Sequence, residues 1–214
     1  MTRLSIARSE FILGGQKSGK SRRAELLARD WLAQRADHRA VLIATAQPWD
    51  DEMRQRIARH RSDRAARAPG MATVEEPLDL AGALRQHSTP QTLVVVDCLT
   101  LWLTNWSMPA GTDDGGSASV PASASAPSTE YKQNVPSAQD WPAQAAHFLI
   151  AIEQAPGPVV LVGNEIGLGV VPLGREVRAF VDALGLLNQQ VARVCQRATL
   201  MAAGLALTLK ETPP

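Results

Sequence analysis

Residues 14–21 read Gly-Gly-Gln-Lys-Ser-Gly-Lys-Ser and fit the phosphate-binding pattern of Gly, four residues, then Gly-Lys-Ser/Thr. Glycines in such a loop let backbone N–H groups turn toward phosphate oxygens, and the helix that follows adds the positive end of its dipole. We therefore predict that this loop binds the phosphates of a nucleotide. The residues concerned are Gly14, Gly15, Gln16, Lys17, Ser18, Gly19, Lys20 and Ser21.

The chain on either side of the loop has the order that a phosphate site needs. Phe11-Ile12-Leu13 is typical of the end of a buried strand, and Arg22 to Gln34 has the periodicity of a helix. In this arrangement Lys20 meets the β- and γ-phosphates, and the Ser21 hydroxyl binds Mg²⁺. The alternative, a glycine turn ahead of an ordinary helix, would not require all four fixed positions of the pattern.

Composition limits the classes of protein that this chain can represent. Its 214 residues carry a net charge of +1, which creates no strong field toward nucleic acid or membranes. Cys98 and Cys195 are far apart and lack metal-ligand spacing, so we expect two buried thiols in a reducing compartment. No long apolar segment suggests a leader or a membrane span. We expect a cytoplasmic protein that binds no nucleic acid.

Apolar runs alternate with helical patterns along the chain, which predicts an α/β fold. We expect a three-layer domain of the P-loop NTPase (RecA-like) class with a mainly parallel sheet. Besides the strand before the loop, the predicted strands are 40–44, 72–75, 93–97, 159–162 and 205–209. Besides the first helix, the predicted helices are about Asp50 to Arg64, Leu78 to about His87 with Pro77 in its first turn, 99–106, Asp140 to Glu153, and about Gly174 to Ala203.

Two segments are expected to differ from the compact core. Residues 65–71 are predicted to form a loop. From about 108 to 137 the sequence is rich in Ser, Ala, Pro and Gly, and it cannot bury enough apolar area to offset its ordering entropy. We predict a flexible insertion within a single nucleotide-binding domain that spans residues 1–214, because sheet elements resume after it.

Polar residues at the ends of two predicted strands are candidate ligand contacts. Asp97 ends an apolar run, at the edge of the sheet where a carboxylate could hold Mg²⁺. Asn164 and Glu165 begin a glycine-rich loop at the same edge, and we predict that they contact the substrate. A tight, merely structural loop is the alternative. Arg178 and Asp182 are i, i+4 neighbours that fit a surface ion pair.

The second predicted helix carries a histidine with two possible roles. Met53, Ile57 and His60 are spaced i, i+4 and i+7, so His60 shares the face that should turn inward. The arginines at 54, 61 and 64 should lie elsewhere around the helix. An inward histidine can be a hydrogen-bonded core residue. A neutral imidazole can also attack phosphorus, with arginines neutralising the phosphate. The spacing alone leaves both roles open.

The last predicted helix has a sustained apolar stripe. It is longer than a peripheral helix needs, which is compatible with packing against another subunit. The stripe consists of Val177, Phe180, Val181, Leu184, Leu187, Val191 and Val194.

Motifs spread over nearly the whole chain outside the insertion suggest a specific family. They are the loop 14–21, Ile43 to Ala46, Asp51-Glu52-Met53, Arg56-Ile57, His60-Arg61, Thr73 to Pro77, Asp97 to Thr100, Asn164 to Pro172, and Arg178 with Asp182, Gly185, Asn188 and Gln189. Together they resemble the bifunctional cobinamide kinase and cobinamide-phosphate guanylyltransferase family of cobalamin assembly.

The resemblance implies two successive reactions. ATP or GTP would phosphorylate the aminopropanol hydroxyl of adenosylcobinamide, and GTP would then transfer GMP to the adenosylcobinamide phosphate. In this family a histidine at the position of His60 carries GMP covalently. The resemblance also assigns Glu75 to nucleotide binding, gives Lys20 and Asp97 catalytic roles and Arg178 a role in substrate binding, and suggests a homotrimer. Mg²⁺ is the implied cofactor.

The sequence departs from the family pattern after His60-Arg61. Arg64 is followed by Ala65 where the family usually has an Arg-Pro pair, and Met71 takes the position of a Trp. Two other functions stay open at this point. One is a monofunctional P-loop kinase of another small alcohol, and the other is a nucleotide-dependent switch or binding module. Against the switch, the chain lacks an Asn-Lys-x-Asp motif for reading a base.

Overall fold

A seven-stranded sheet organises the chain, with strand order β3-β2-β4-β5-β1-β6-β7. The computed structural model describes residues 4–48, 50–107 and 140–213. Neighbouring strands pair in parallel except β6 and β7, which form an antiparallel hairpin. The predicted α/β class with a mainly parallel sheet is confirmed. The predicted insertion at about 108–137 lies outside the described residues.

The described elements alternate between strand and helix for most of the chain. The strands are β1 (Ser9–Gly14), β2 (Arg39–Ala44), β3 (Met71–Glu75), β4 (Thr92–Asp97), β5 (Val159–Asn164), β6 (Arg197–Ala202) and β7 (Leu205–Glu211). The helices are α1 (Lys20–Leu32), α2 (Asp51–Arg67), α3 (Leu80–His87), α4 (Leu99–Ser107), α5 (Trp141–Gln154) and α6 (Arg175–Val194).

Apolar side chains on the two faces of the sheet form two cores. One core joins the sheet to α1 through residues such as Leu27 and Ala28. The other joins it to α3, α4, α5 and α6, and the fully buried Trp102 lies within it. Strands buried on both faces have continuous aliphatic runs, because no face is left for polar residues. The helix–sheet–helix layering therefore agrees with the sequence-based expectation.

The prediction of one helix from Gly174 to Ala203 is wrong. Helix α6 ends at Val194, where the apolar stripe also ends, and residues 197–202 form β6 beside β1. Pairing with the central strand satisfies this segment's backbone groups better than another helical turn would. The sharp turn into β7 uses Ala203 and Gly204, both at positive φ, as in a tight hairpin.

Several helix boundaries also differ from the predictions. Helix α1 runs from Lys20 to Leu32 rather than from Arg22 to Gln34. Helix α2 continues to Arg67, so the loop before β3 is shorter than the predicted 65–71. Helix α3 begins at Leu80 rather than Leu78, because the Asp79 carboxylate caps it by accepting a hydrogen bond from the Gly82 N–H at 2.8 Å. Among the described residues, no helix combines the length and the apolar character that crossing a membrane requires.

The buried carboxylate of Glu10 links β1 to helix α1 and to strand β6. Glu10 is 1% exposed and accepts hydrogen bonds from Arg23 of α1 at 2.9 Å and from Thr199 of β6 at 2.8 Å. Arg197 donates to its other oxygen at 3.2 Å. A buried charge is tolerated only when it is paired and hydrogen-bonded. Glu10 therefore links the central strand to β6, the segment that was predicted to be helical.

We expect Glu10→Ala to lower the free energy of unfolding by about 3–5 kcal/mol, because it leaves two guanidinium groups without their buried partner. Urea unfolding followed by circular dichroism measures the change. Glu153→Ala is the control, since that side chain is exposed, and we expect it to change stability by less than about 0.5 kcal/mol. Equal stability of the two variants would contradict this role of Glu10.

Candidate active site

The phosphate loop lies at the carboxyl end of the central strand β1 and turns sharply into α1. Gly14 has φ +151°, and a Cβ added there would collide with the carbonyl oxygen of Met201 on β6. Lys17 and Gly19 have φ values of 55° and 104°. Such left-handed conformations suit glycine and allow successive N–H groups to point into one concavity. The loop thus has the backbone form of an anion cradle.

Lys20 lies in this cradle rather than in solvent. The residue is 8% exposed, and its ammonium group donates to the carbonyl oxygens of Gly14 at 3.0 Å and Gly15 at 2.6 Å. Burial lowers the pKa of Lys20 from that of a free lysine, while the negative charge of nearby Asp97 partly opposes the shift. A phosphate in the cradle would supply the counter-charge that the buried ammonium lacks.

The Ser18 hydroxyl is a second sign that the cradle fits an anion. Ser18 is 8% exposed, and its Oγ has no hydrogen-bond partner in the described part of the chain. Its carbonyl oxygen accepts a hydrogen bond from the Gly204 N–H at 3.0 Å, so the β6–β7 turn holds the loop from behind. A buried hydroxyl without a partner costs free energy, which a phosphate oxygen in the loop could recover.

Oxygen donors suited to Mg²⁺ lie at the same edge of the sheet. Asp97 is the last residue of β4, which is separated from β1 by β5. Its negative charge opposes the lowering of the Lys20 pKa by burial. Ser21 follows Lys20 in the first turn of α1. The described residues contain no cluster of three or more His, Cys, Asp or Glu side chains able to hold a metal. One carboxylate and one hydroxyl, completed by phosphate oxygens and water, is the donor set that Mg²⁺ takes in nucleotide sites.

A buried polar network fixes the backbone next to Asp97. Thr45, at the end of β2, is fully buried, and its hydroxyl donates to the Cys98 carbonyl at 2.8 Å and accepts from the Cys98 N–H at 2.9 Å. The Asn105 amide donates to the Thr45 carbonyl at 2.9 Å and to Pro77 at 3.1 Å. Burial raises the pKa of the Cys98 thiol to about 12, which disfavours the nucleophilic thiolate form.

Helix α2 borders the site through arginines instead of apolar residues. It has no buried residue, which differs from the amphipathic packing that the sequence predicted. With its amide oxygen facing Arg56, Gln16 of the phosphate loop accepts two guanidinium N–H groups at 2.9 and 2.8 Å. Arg64 donates to Thr73 at 3.1 Å and Arg67 to Glu25 at 2.8 Å. The prediction that the arginines lie away from the inward face is therefore wrong for Arg64.

His60 is exposed, so it is not a hydrogen-bonded core residue. It lies one helical turn from both Arg56 and Arg64, on the same stripe of α2. Arg56 contacts the phosphate loop, and the charge of Asp97 acts on Arg64. The stripe of the helix that carries His60 is therefore the one that borders the loop. Its catalytic role stays a prediction.

Glu75 ends the edge strand β3 and is exposed. Its carboxylate pairs with Arg61 of α2, next to His60. The following residue has a structural role, because the Glu76 carboxylate accepts hydrogen bonds from the N–H groups of Leu78 and Asp79, both at 2.8 Å. The nucleotide contact expected of Glu75 stays a prediction.

Asn164 and Glu165 lie directly beside the phosphate loop. Asn164 is the last residue of β5 and pairs with Gly14 in the sheet register. The Glu165 N–H donates to the Gly14 carbonyl at 3.2 Å, the same oxygen that Lys20 contacts. The Asn164 N–H donates to the Thr100 hydroxyl at 2.9 Å. The structure thus brings these two candidate residues to the cradle.

Arg178 lies farther along the chain and contacts its own loop. Its guanidinium donates to the carbonyl oxygens of Pro172, at 3.0 Å, and Leu173. Among the described residues it has no ion pair with Asp182, which was the alternative for this position. Arg178 lines a groove of about 410 Å³ together with apolar residues of the loop such as Val171. Arg178 therefore lies in this groove, and its role in substrate binding stays a prediction.

A family model described as cobinamide kinase / cobinamide phosphate guanyltransferase (CobU) matches residues 10–209. The chain belongs to this family. The match spans the phosphate loop, Asp97, the segment with His60, and most of the β6–β7 hairpin.

Two relatives match the chain over almost the full length of both sequences. The chain is 41% identical to the bifunctional adenosylcobalamin biosynthesis protein CobP of Pseudomonas aeruginosa, over 95% of this chain and 98% of the relative. It is 32% identical to the bifunctional adenosylcobalamin biosynthesis protein CobU of Escherichia coli, over 94% and 98% of the two chains. The flagellar accessory protein FlaH of Methanocaldococcus jannaschii matches with a TM-score of 0.45 and 11% identity, over 97% of this chain and 80% of FlaH.

Several residues that support the site were not predicted to do so from the sequence. Thr45 follows β2 at the edge where Asp97 and Asn164 also lie, which is a signal that could have been used. Asn105 is a polar residue in an otherwise apolar part of α4, and its 5% exposure explains why it needs backbone partners. The unpartnered Ser18 hydroxyl and the arginine contacts of α2 have no signal in hydrophobic periodicity.

We expect Ser18→Ala to weaken nucleotide binding without lowering the stability of the protein. Without nucleotide, the free energy of unfolding should stay equal or rise by up to about 1 kcal/mol, because an unpartnered buried hydroxyl is removed. Affinity for Mg²⁺-GTP should fall by about three- to tenfold, since one hydrogen bond to phosphate is lost. Thermal unfolding and calorimetric titration measure the two effects. A destabilised variant with unchanged affinity would contradict the assignment of this hydroxyl to the ligand.

Proposed function

We propose that this protein phosphorylates the aminopropanol hydroxyl of adenosylcobinamide and then transfers GMP to the product through a guanylyl-histidine at His60. Family membership supports the pair of reactions, and the names of the relatives describe bifunctional proteins of adenosylcobalamin biosynthesis. The observation that carries the proposal is the cradle itself, with the buried Lys20 ammonium and the unpartnered Ser18 hydroxyl aligned on one loop.

The charges around the cradle suit phosphoryl and nucleotidyl transfer. Both reactions develop negative charge on phosphate oxygens, and the protein's main contribution is to position the reactants and stabilise that charge. Lys20 and the loop N–H groups would bind the phosphates, and Ser21 with Asp97 would hold Mg²⁺. When bound, Mg²⁺ neutralises phosphate charge. Arg56 and Arg64 add positive charge from α2.

The guanylyl transfer requires a nucleophile on the protein. A neutral imidazole nitrogen of His60 would form a bond to the α-phosphorus of GTP, and the bond to the bridging oxygen of pyrophosphate would break. The phosphate of the acceptor would then displace the histidine and take GMP. Exposure of His60 is compatible with this role, because both GTP and the second acceptor must reach the imidazole.

Partners and organisation complete the proposal. ATP or GTP serves the kinase step, and adenosylcobinamide and its phosphate are the acceptors.

We propose that residues 1–214 form one nucleotide-binding domain, since every described strand joins one sheet. We also propose a homotrimer, which the exposed side chains of Val170, Leu173 and Val177 support as an apolar contact surface. A cytoplasmic location stays a prediction from composition.

Covalent labelling tests the central step. The wild type and His60→Ala are incubated with Mg²⁺ and GTP labelled at the α-phosphate, and the denatured protein is examined for label. We expect label on the wild type that survives denaturation, is lost in acid, and is absent from the variant, because a phosphoramidate to histidine has this lability.

The matched control is His147→Ala, which removes an exposed histidine on α5. It should label like the wild type. If a folded wild type that binds GTP takes no label, the guanylyltransferase half of the proposal is wrong, and a monofunctional kinase of a small alcohol becomes the better interpretation. Label that persists on His60→Ala would place the nucleophile elsewhere.

A further inference from the structure

The carboxylates at the carboxyl ends of the parallel strands differ in their partners. Glu75 pairs with Arg61, and Glu76 accepts hydrogen bonds from two backbone N–H groups just before α3. Asp97 is the metal-ligand candidate of the cradle. The carboxylate of Glu165 forms no ion pair with a lysine, arginine or histidine within the described parts of the chain. The backbone N–H of Glu165 is hydrogen-bonded to Gly14, so this residue lies beside the phosphate loop.

Glu165 is nevertheless held in place. One carboxylate oxygen accepts a hydrogen bond from the Gly167 N–H at 3.0 Å, and the other lies 3.4 Å from the Asn188 side-chain nitrogen. The Glu165 N–H and the Lys20 ammonium donate to the same Gly14 carbonyl. The backbone of Glu165 is therefore hydrogen-bonded to the first residue of the phosphate loop, at the oxygen that the lysine of that loop also contacts.

Asn188 connects this carboxylate to α6. It is 5% exposed, and its amide nitrogen donates to the Asn164 carbonyl at 3.0 Å as well as facing Glu165. Its side-chain oxygen is buried and has no partner among the described residues. A buried amide that leaves its own oxygen unsatisfied contributes little to folding, because the unpaired oxygen costs free energy. Its two donor contacts both reach the end of β5.

We propose that Glu165 is the general base of the kinase step and that Asn188 is the positioning residue that orients it. The proposal rests on the proposed function and deepens it. In this step the acceptor hydroxyl oxygen forms a bond to the γ-phosphorus, and the bond from γ-phosphorus to the β–γ bridging oxygen breaks. The electron pair leaves with the nucleoside diphosphate, and the hydroxyl proton moves to a Glu165 carboxylate oxygen.

Steady-state kinetics with ATP and adenosylcobinamide test the base. Glu165→Gln keeps the shape and can still accept hydrogen bonds but cannot take the proton, so kcat for phosphorylation should fall by about 10²- to 10⁴-fold. The dissociation constant for Mg²⁺-GTP and the covalent labelling of the protein by GTP should not change. Glu153→Gln, an equal charge change at an exposed position of α5, should keep kcat within about twofold.

A double-mutant cycle tests the positioning residue. Asn188→Ala should lower kcat by about 10- to 100-fold with little change in nucleotide KM, since a misplaced base slows the chemical step. In the Glu165→Gln background the same substitution should cause no further loss, because its effect acts through that carboxylate. Asn188→Leu, which fills the space of the amide, should behave like Asn188→Ala and serves if the alanine variant unfolds.

The outcomes separate this inference from the proposed function. If the wild type phosphorylates adenosylcobinamide and Glu165→Gln keeps kcat within about twofold, the assignment of the base is overturned while the proposed function stands. An equal loss from Asn188→Ala in both backgrounds overturns the positioning role. A wild type that binds nucleotide but phosphorylates no acceptor overturns both the proposed function and this inference.

Discussion

The arrangement of the site depends on the hydrogen bonds that the carbonyl oxygen of Gly14 accepts. This oxygen accepts hydrogen bonds from the Lys20 ammonium and from the Glu165 N–H, so the start of the phosphate loop, its lysine and the end of β5 share one acceptor. On the other side, the Met201 carbonyl approaches Gly14 so closely that no side chain fits there. The loop is thus held by both neighbours of the central strand, before any ligand is bound.

The rest of the edge is fixed in the same way, by buried polar groups that bind backbone atoms of the next element. Thr45 exchanges two hydrogen bonds with the Cys98 backbone, and the Thr100 hydroxyl accepts from the Asn164 N–H. Such contacts add directional constraints that the apolar cores on either face of the sheet do not supply. Helix α2 has no buried residue, and arginine contacts hold it in place instead of such buried polar groups.

Much of this could be predicted from the sequence, because the phosphate loop and the aliphatic runs have local signals. The class of fold, the cradle and the edge position of Asp97 depend on such signals. The β6 strand could not be identified, since polar residues interrupt its apolar run and its partner β1 lies nearly 190 positions away, as the contact of Glu10 with Arg197 illustrates. The exposure of His60 and the shared contacts of Asn188 likewise depend on tertiary structure, which periodicity does not report.

We propose that this protein carries out two successive transfers to one acceptor, first of a phosphoryl group and then of a guanylyl group. Mass spectrometry of the products, after the purified protein is incubated with adenosylcobinamide, ATP, GTP and Mg²⁺, is the most direct test. We expect the acceptor to gain the mass of a phosphoryl group and then that of a guanylyl group, and to stop at the phosphorylated product when GTP is omitted while ATP is present. An acceptor that gains only phosphate with both nucleotides present, or gains nothing, would contradict this proposal.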